Sequence, residues 1–239
     1  MRWRYLEQYF LSLIRTFLST TEYADTEMPI FEIVLTDNIY AYVLQDDPEY
    51  AKRIKADTTY GIYYVTKMCE QQLVIDKTLN IVEIMHNLLH EVIHIFDFNS
   101  LAKYKNNYNI RELQDDIFFI LWSEFHAEYC SYKYIIEQAK DKISPQQVQS
   151  EFQENLNDFM NRYAKLEIQN VADFCVRLYG QQIALYDVFK SAVDKYPRKF
   201  FINQDFLNLY DYLNEYKCFE RIKNDLGNLT VVFKTLEPN

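Results

Sequence analysis

The order of apolar and polar positions predicts a mainly helical chain that also contains a few strands. An amphipathic helix is predicted near the N-terminus, where apolar residues recur three or four positions apart: Leu6, Phe10, Leu13, Ile14 and Phe17. Two β-rich runs, 29–35 and 39–44, predict a hairpin because polar residues that favour a turn separate them. Two further runs, 60–66 and 72–75, predict a second pair of strands.

The central helix of the chain is predicted over residues 80–98, with Asp76 or Thr78 as its cap. Apolar side chains cover most of its circumference, which is the pattern of a buried helix. Its polar residues form one narrow stripe at steps of mostly three and four: Asn80, Glu83, Asn87, His90, Glu91, His94 and Asp97. We therefore expect a cleft to open along this stripe, beside the two histidines.

After a polar loop at 100–110, the rest of the chain is predicted to be mainly helical. One helix is expected over 111–139 and a helical region over 145–216, in which Gly180 is a candidate kink and Pro197 a break. A last strand is predicted at 230–235.

These elements predict an α+β fold that is predominantly helical. A small antiparallel or mixed sheet is expected to pack on a buried active-site helix, and a C-terminal helical segment follows. We divide the chain into a core at 1–141 and a helical segment at 142–239, with the alternative that both form one domain.

Composition limits the classes of function. Hydrophobic residues make up 49% of the chain and charged residues 25%, which is a globular composition. The net charge of −10 argues against binding to the phosphate backbone of nucleic acid. The four cysteines are far apart in the sequence, which favours reduced thiols in a cytoplasmic protein. No apolar run is long enough to cross a membrane, so no membrane partner is expected.

The candidate chemistry lies where the histidines are. All four of them, His86, His90, His94 and His126, fall between positions 86 and 126. His90 and His94 enclose Glu91 in a His-Glu-x-x-His pattern, which on a helix places both imidazoles on one face for Zn²⁺. Glu91 is then placed to act as a general base on water that the metal activates. A catalytic zinc takes three protein ligands, so a third ligand is needed.

Glu124 on the following predicted helix is the candidate for that third ligand. It lies in an apolar stripe, where an unpaired carboxylate is costly. Glu128 lies one turn further on the same face, and no Lys or Arg stands three or four residues from either carboxylate. A metal and a ligated histidine nearby would relieve the repulsion between the two carboxylates.

The two segments together resemble the gluzincin metallopeptidases. The segment Glu124-Phe125-His126-Ala127-Glu128 is similar to the Glu-x-x-Ala-Asp motif of CAAX-prenyl-type proteases and, more loosely, of ImmA/IrrE-like peptidases. The resemblance covers residues 60–135. It implies that His90, His94 and Glu124 bind zinc, that Glu91 is the general base, and that Glu128 orients a ligating histidine. The chain departs from these relatives at Ile93, where they usually have Gly, and at Glu128, where they have Asp.

Two further histidines are auxiliary candidates. His86 continues the spacing of four residues, but three imidazoles along one straight helix are too far apart for a single tetrahedral ion. A core or supporting role is therefore favoured for His86. His126 lies on roughly the opposite side of its helix from Glu124, and both an oxyanion-stabilising role and a structural role are open to it.

The sequence thus predicts a zinc-dependent metallopeptidase that hydrolyses peptide bonds in a protein or peptide substrate. An extended peptide is expected to add to the edge of the strand pair at 60–75. Two alternatives stay open. One is a zinc-binding regulatory or interaction protein without proteolytic activity, and the other is a chain that binds no metal at these residues.

Overall fold

The computed structural model of the chain describes residues 2–54, 59–163, 169–195 and 204–234. Its backbone contacts divide it into two compact units, Met1–Asp115 and Asp116–Asn239. The first unit holds a three-stranded sheet and the helix with the His-Glu-x-x-His segment, and the second unit is helical. The predicted fold class, predominantly helical α+β with a small mixed sheet, is confirmed.

The first unit contains, in chain order, α1 (Arg2–Leu18), β1 (Glu32–Thr36), α2 (Ile39–Asp46), α3 (Pro48–Ala51), β2 (Gly61–Val65), β3 (Gln71–Asp76), α4 (Ile81–Lys105) and α5 (Ile110–Leu113). The strands lie in the order β1-β3-β2. β1 is parallel to β3, and β2 is antiparallel to it. The strand pair predicted at 60–66 and 72–75 is therefore confirmed, and β2 forms one edge of this sheet.

The predicted hairpin before that pair is wrong, because residues 39–44 are helical. Asn38 caps α2, and its side-chain oxygen accepts the Ala41 N–H at 2.8 Å. Ile39 and Val43, one helical turn apart, both pack into the apolar cluster on one face of the sheet. The cap and this buried pair outweigh the β preference of the aromatic residues in the run.

The beginning of α4 is fixed by a capping box. The Asn80 side chain accepts the N–H groups of Val82 and Glu83, and the Glu83 carboxylate in turn accepts the Asn80 N–H at 3.0 Å. Asp76 and Thr78, the caps predicted from the sequence, instead bond to each other within the preceding turn. The predicted helix is confirmed, but its predicted cap is wrong.

The end of α4 lies further along the chain than predicted. The helix continues to Lys105, through the first half of the predicted loop at 100–110. Leu101 and Ala102 are buried there, so packing extends the helix into a polar stretch. It ends at Asn106, which adopts a left-handed conformation with a φ of 49°. Asparagine tolerates that conformation better than most residues.

Alternate residues of β2 face opposite sides of the sheet. Ile62 and Tyr64 point into the apolar cluster shared with α2. Gly61 and Tyr63 face α4, where the Tyr63 ring lies 6.0 Å from the Phe98 ring, measured between centroids. The edge strand therefore runs beside the helix that carries the histidines.

The second unit contains α6 (Ile117–Ala139), α7 (Pro145–Tyr163), α8 (Gln169–Phe189), a short 3₁₀ turn (Lys190–Ala192), α9 (Gln204–Glu215), α10 (Phe219–Ile222) and α11 (Leu226–Lys234). Pro145 begins α7 as predicted. The single helix predicted over 111–139 is interrupted between α5 and α6, and Asp116 caps α6. The strand predicted at 230–235 is wrong, since α11 extends to Lys234. The break predicted at Pro197 lies outside the described residues.

The two compact units divide the chain before α6, whereas the sequence analysis placed α6 in the first of two domains. The division into 1–141 and 142–239 concerns domains, which compactness alone does not test, and it stays a prediction. His86, His90, Glu91 and His94 belong to the first unit. The candidates Glu124, His126 and Glu128 belong to the second.

Within the second unit, α6 and α8 pack closely, and Gly180 sets the distance between them. A Cβ atom at position 180 would lie 2.8 Å from the Phe125 carbonyl oxygen and 2.9 Å from the Tyr129 nitrogen. These are backbone atoms that cannot easily move aside. α8 is helical through Gly180, so this glycine serves close helix packing.

We expect Gly180→Ala to lower the free energy of unfolding by about 1–3 kcal/mol, because the methyl group overpacks the interface. This loss exceeds the gain of up to about 1 kcal/mol that alanine gives in a helix. Urea unfolding followed by circular dichroism measures the free energy of unfolding of the variant and of the parent.

Gly227→Ala is the matched control, because a Cβ at that position in α11 meets nothing within 4 Å. It should be neutral or stabilising. A Gly180→Ala protein as stable as the parent would contradict the close approach of α6 and α8.

Candidate metal centre

His90, Glu91 and His94 bring their donor atoms together on α4. One ligand atom from each residue lies within 4.8 Å of the others. All three side chains are buried, with 4%, 8% and 6% of the residue surface exposed. In the part of the chain that the structure describes, this is the group of histidine, cysteine and acidic residues that meets the spacing of a metal site. The predicted cluster on one helix face is thus present.

The geometry of the two imidazoles fits a shared Zn²⁺ ion. Their Nε2 atoms are 3.2 Å apart, and the ring planes meet at 72°. Ligands at the usual Zn–N distance of about 2.0–2.1 Å stand about 3.3–3.4 Å apart on a tetrahedron. The donor set of two nitrogens and a nearby carboxylate is also one that zinc accepts. The same separation also suits a direct hydrogen bond between the two rings.

The Glu91 carboxylate is held by the edge of the sheet. Its Oε2 atom accepts the main-chain N–H of Tyr63 in β2 at 2.7 Å. A buried carboxylate without a partner is costly, and the Tyr63 N–H is the partner of this one. Because the partner is a main-chain amide, it leaves no mark in the sequence, and the sequence analysis missed it.

Gly61 is the second residue of β2 that the sequence analysis missed. An added Cβ would lie 3.3 Å from the Cγ atom of Glu91. A signal was present, because a glycine inside a β-rich run often marks a close approach of another chain segment. The chain has only three glycines, so this one stands out.

The polar stripe of α4 continues beyond the histidines as a buried pair. Asp97 is fully buried and accepts a hydrogen bond from the Tyr23 hydroxyl. Tyr23 is itself buried, and its ring lies 5.0 Å from the Phe96 ring, measured between centroids. The cleft predicted along the stripe therefore does not extend to Asp97.

His86 lies beside the cluster without joining it. Its ring is 6.4 Å from the His90 ring in an edge-to-face arrangement. The three residues whose ligand atoms converge do not include it. The core or supporting role that the sequence analysis favoured for His86 stays a prediction.

In the second unit, both acidic candidates of α6 are bound by residues of α8. The Glu124 carboxylate forms an ion pair with Arg177 at 2.7 Å, and Glu128 accepts a hydrogen bond from the Gln181 amide, also at 2.7 Å. The side chains of Glu124 and Arg177 are 18% and 42% exposed. Arg177 is thus the cation that the sequence analysis sought on the same helix and did not find. The role of Glu124 as a zinc ligand stays a prediction.

His126 is buried against an aromatic ring in the same unit. It stacks on Trp122, with ring centroids 4.9 Å apart and planes at 24°. Trp122 in turn donates its indole N–H to the Tyr216 carbonyl at 2.8 Å. The oxyanion-stabilising role and the structural role that the sequence analysis left open for His126 both stay predictions.

Comparison with known proteins adds no relative. No protein-family model, no curated protein and no solved structure matches the chain. The resemblance to gluzincins therefore rests on the motifs alone. Among the described helices, none is both long and apolar enough to cross a membrane.

We expect His94→Ala to remove stoichiometric zinc from the purified protein, because one of two converging imidazoles is lost. His86→Ala is the matched control on the same helix and should retain its metal. Metal analysis by mass spectrometry, with absorption at the zinc edge, measures the zinc content of both variants. Substoichiometric zinc in the parent that His94→Ala leaves unchanged would contradict a metal site here.

Proposed function

We propose that this protein is a zinc-dependent metallopeptidase, in which His90 and His94 bind the ion and Glu91 is the general base. The proposal rests on one observation, the convergence of two imidazole nitrogens and a carboxylate on a buried helix face. The two Nε2 atoms face each other, and one imidazole nitrogen of each ring lies within 4.8 Å of a Glu91 carboxylate oxygen, which is the arrangement that a shared metal requires. The motif resemblance points to the same chemistry.

When bound, zinc lowers the pKa of its water to about 7 and polarises the carbonyl of the substrate. Glu91 takes a proton from the attacking water and later delivers it to the leaving amine. The Tyr63 amide engages Oε2 of this carboxylate, which leaves Oε1 to receive the proton. The base is thereby oriented as well as buried.

The proposed substrate is a protein or peptide, and the edge strand β2 restricts how it pairs. The Tyr63 N–H is taken by Glu91, and the Val65 carbonyl accepts the Arg111 guanidinium at 3.4 Å. An extended peptide that pairs with β2 either replaces these bonds or pairs near Gly61. Edge-strand pairing thus remains part of the proposal by either of these two routes.

A second candidate is a zinc-binding regulatory or interaction protein without proteolytic activity. The ion pair between Glu124 and Arg177 favours it, because it gives the predicted third ligand a partner within the second unit. Stoichiometric zinc in a protein that cleaves no peptide would support this candidate. The next two experiments separate it from the peptidase.

We expect Glu91→Gln to keep its zinc and to lose at least about 100-fold in peptide cleavage, the usual loss when a general base is removed. Zinc content and cleavage of a mixture of unstructured peptides, with products identified by mass spectrometry, give both readouts. If the variant cleaves as well as the parent, Glu91 is not the base.

We expect Glu124→Gln to weaken zinc binding by more than about 100-fold, since even the loss of a residue that supports a ligand costs 10–100-fold. Arg177→Gln is the matched control: it removes the same ion pair but leaves the carboxylate, and its zinc affinity should not fall. Competition with a fluorescent chelator measures both affinities. Unchanged affinity in Glu124→Gln would identify Glu124 as the structural counter-ion of Arg177.

A further inference from the structure

The register of β2 determines which of its main-chain groups face away from β3. At the two ends of the pairing, the Thr66 N–H bonds to the Glu70 carbonyl at 2.9 Å and the Asp76 N–H to the Tyr60 carbonyl at 3.0 Å. Pairing alternates along an antiparallel ladder, so even-numbered residues of β2 bond to β3 and odd-numbered residues face the open edge. The Tyr63 N–H is one of these outward groups.

The close approach of α4 to this edge depends on Gly61. A Cβ at position 61 would lie 3.2 Å from the Asn87 Cβ and 3.3 Å from the Glu91 Cγ. Both distances are shorter than ordinary van der Waals contact, so any side chain here pushes α4 or the Glu91 side chain away by a few tenths of an ångström. The third neighbour, Ile75 Cδ1 at 3.1 Å, is the flexible end of a side chain.

We propose that Gly61 and the main-chain amide of Tyr63 position the Glu91 carboxylate from the edge strand. The amide fixes Oε2, and Gly61 permits the distance at which this bond forms. The catalytic consequence rests on the proposed peptidase function, whereas the positioning itself does not. Both residues act through Glu91 and are positioning residues.

The positioning has a physical purpose. A glutamate side chain turns about three bonds, and its free carboxylate samples several rotamers. A bond from the strand selects one of them, and in this rotamer a carboxylate oxygen lies within 4.8 Å of an imidazole nitrogen of both His90 and His94. Misplacement of a catalytic group by about 1 Å costs up to about 100-fold in rate, so a few tenths of an ångström matter.

Amide hydrogen exchange in the full-length protein tests the bond without any assay of activity. In Glu91→Ala, the Tyr63 amide should exchange at least about tenfold faster than in the parent, because a bond to a charged acceptor is lost. Ile62 and Tyr64 are even-numbered residues, so their amides bond to β3. They serve as internal controls, and their exchange rates should be unchanged. An unchanged rate at Tyr63 overturns the proposal.

Gly61→Ala tests the role of the close approach, with Ile62→Val as the control on the opposite face of the same strand. The expected result is faster exchange at Tyr63 and a kcat lowered about tenfold, with zinc content and KM unchanged. Ile62→Val should match the parent in Tyr63 exchange rate, kcat, zinc content and KM. Parental kcat and a protected Tyr63 amide in Gly61→Ala would overturn the role of Gly61. If the parent cleaves no peptide, the peptidase proposal fails, and the exchange rates alone decide the positioning.

Discussion

Every polar group that α4 buries has to find a partner inside the protein, and this constraint organises the first unit. The helix is apolar around most of its circumference, so the sheet and α1 pack against it and bury the part of its polar stripe that runs from His90 to Asp97. An unpaired buried carboxylate costs several kcal/mol, roughly the whole stability margin of a domain. Glu91 meets this requirement at the edge of β2, and Asp97 meets it at the Tyr23 hydroxyl.

In the second unit, side chains rather than a main-chain amide partner the acidic groups. Two carboxylates stand one turn apart on α6, and α8 presents Arg177 and Gln181 at the same spacing opposite them. Gly180 lies at the close approach of the two helices, where an added Cβ would be 3.1 Å from the Glu128 Cβ. In each unit, a glycine thus lies beside a buried glutamate whose carboxylate has a hydrogen-bond partner on the neighbouring element.

The sequence predicted what depends on local spacing. The helix with the histidines, the strand pair before it and the convergence of three donor atoms all follow from periodicity and from a five-residue motif. The errors arose where distant residues decide. Residues 39–44 have strand propensity, yet Ile39 and Val43 find a buried surface that only a helix offers. Likewise the partners of Glu91 and Glu124, Tyr63 and Arg177, lie 28 and 53 positions away, where no local pattern reaches.

The two interpretations of the histidine pair differ in the position of a single proton. In a direct hydrogen bond, one ring carries its proton on Nε2 and donates it, while the other ring accepts with a bare Nε2. A metal takes the lone pairs of both Nε2 atoms, so both rings carry their protons on Nδ1. Metal-binding histidines usually donate that Nδ1 proton to a carboxylate, a carbonyl or water, which fixes the tautomer. Zinc binding at His90 and His94 therefore shifts one proton across a ring from Nε2 to Nδ1, and an acceptor beside that Nδ1 favours the metal over the hydrogen bond.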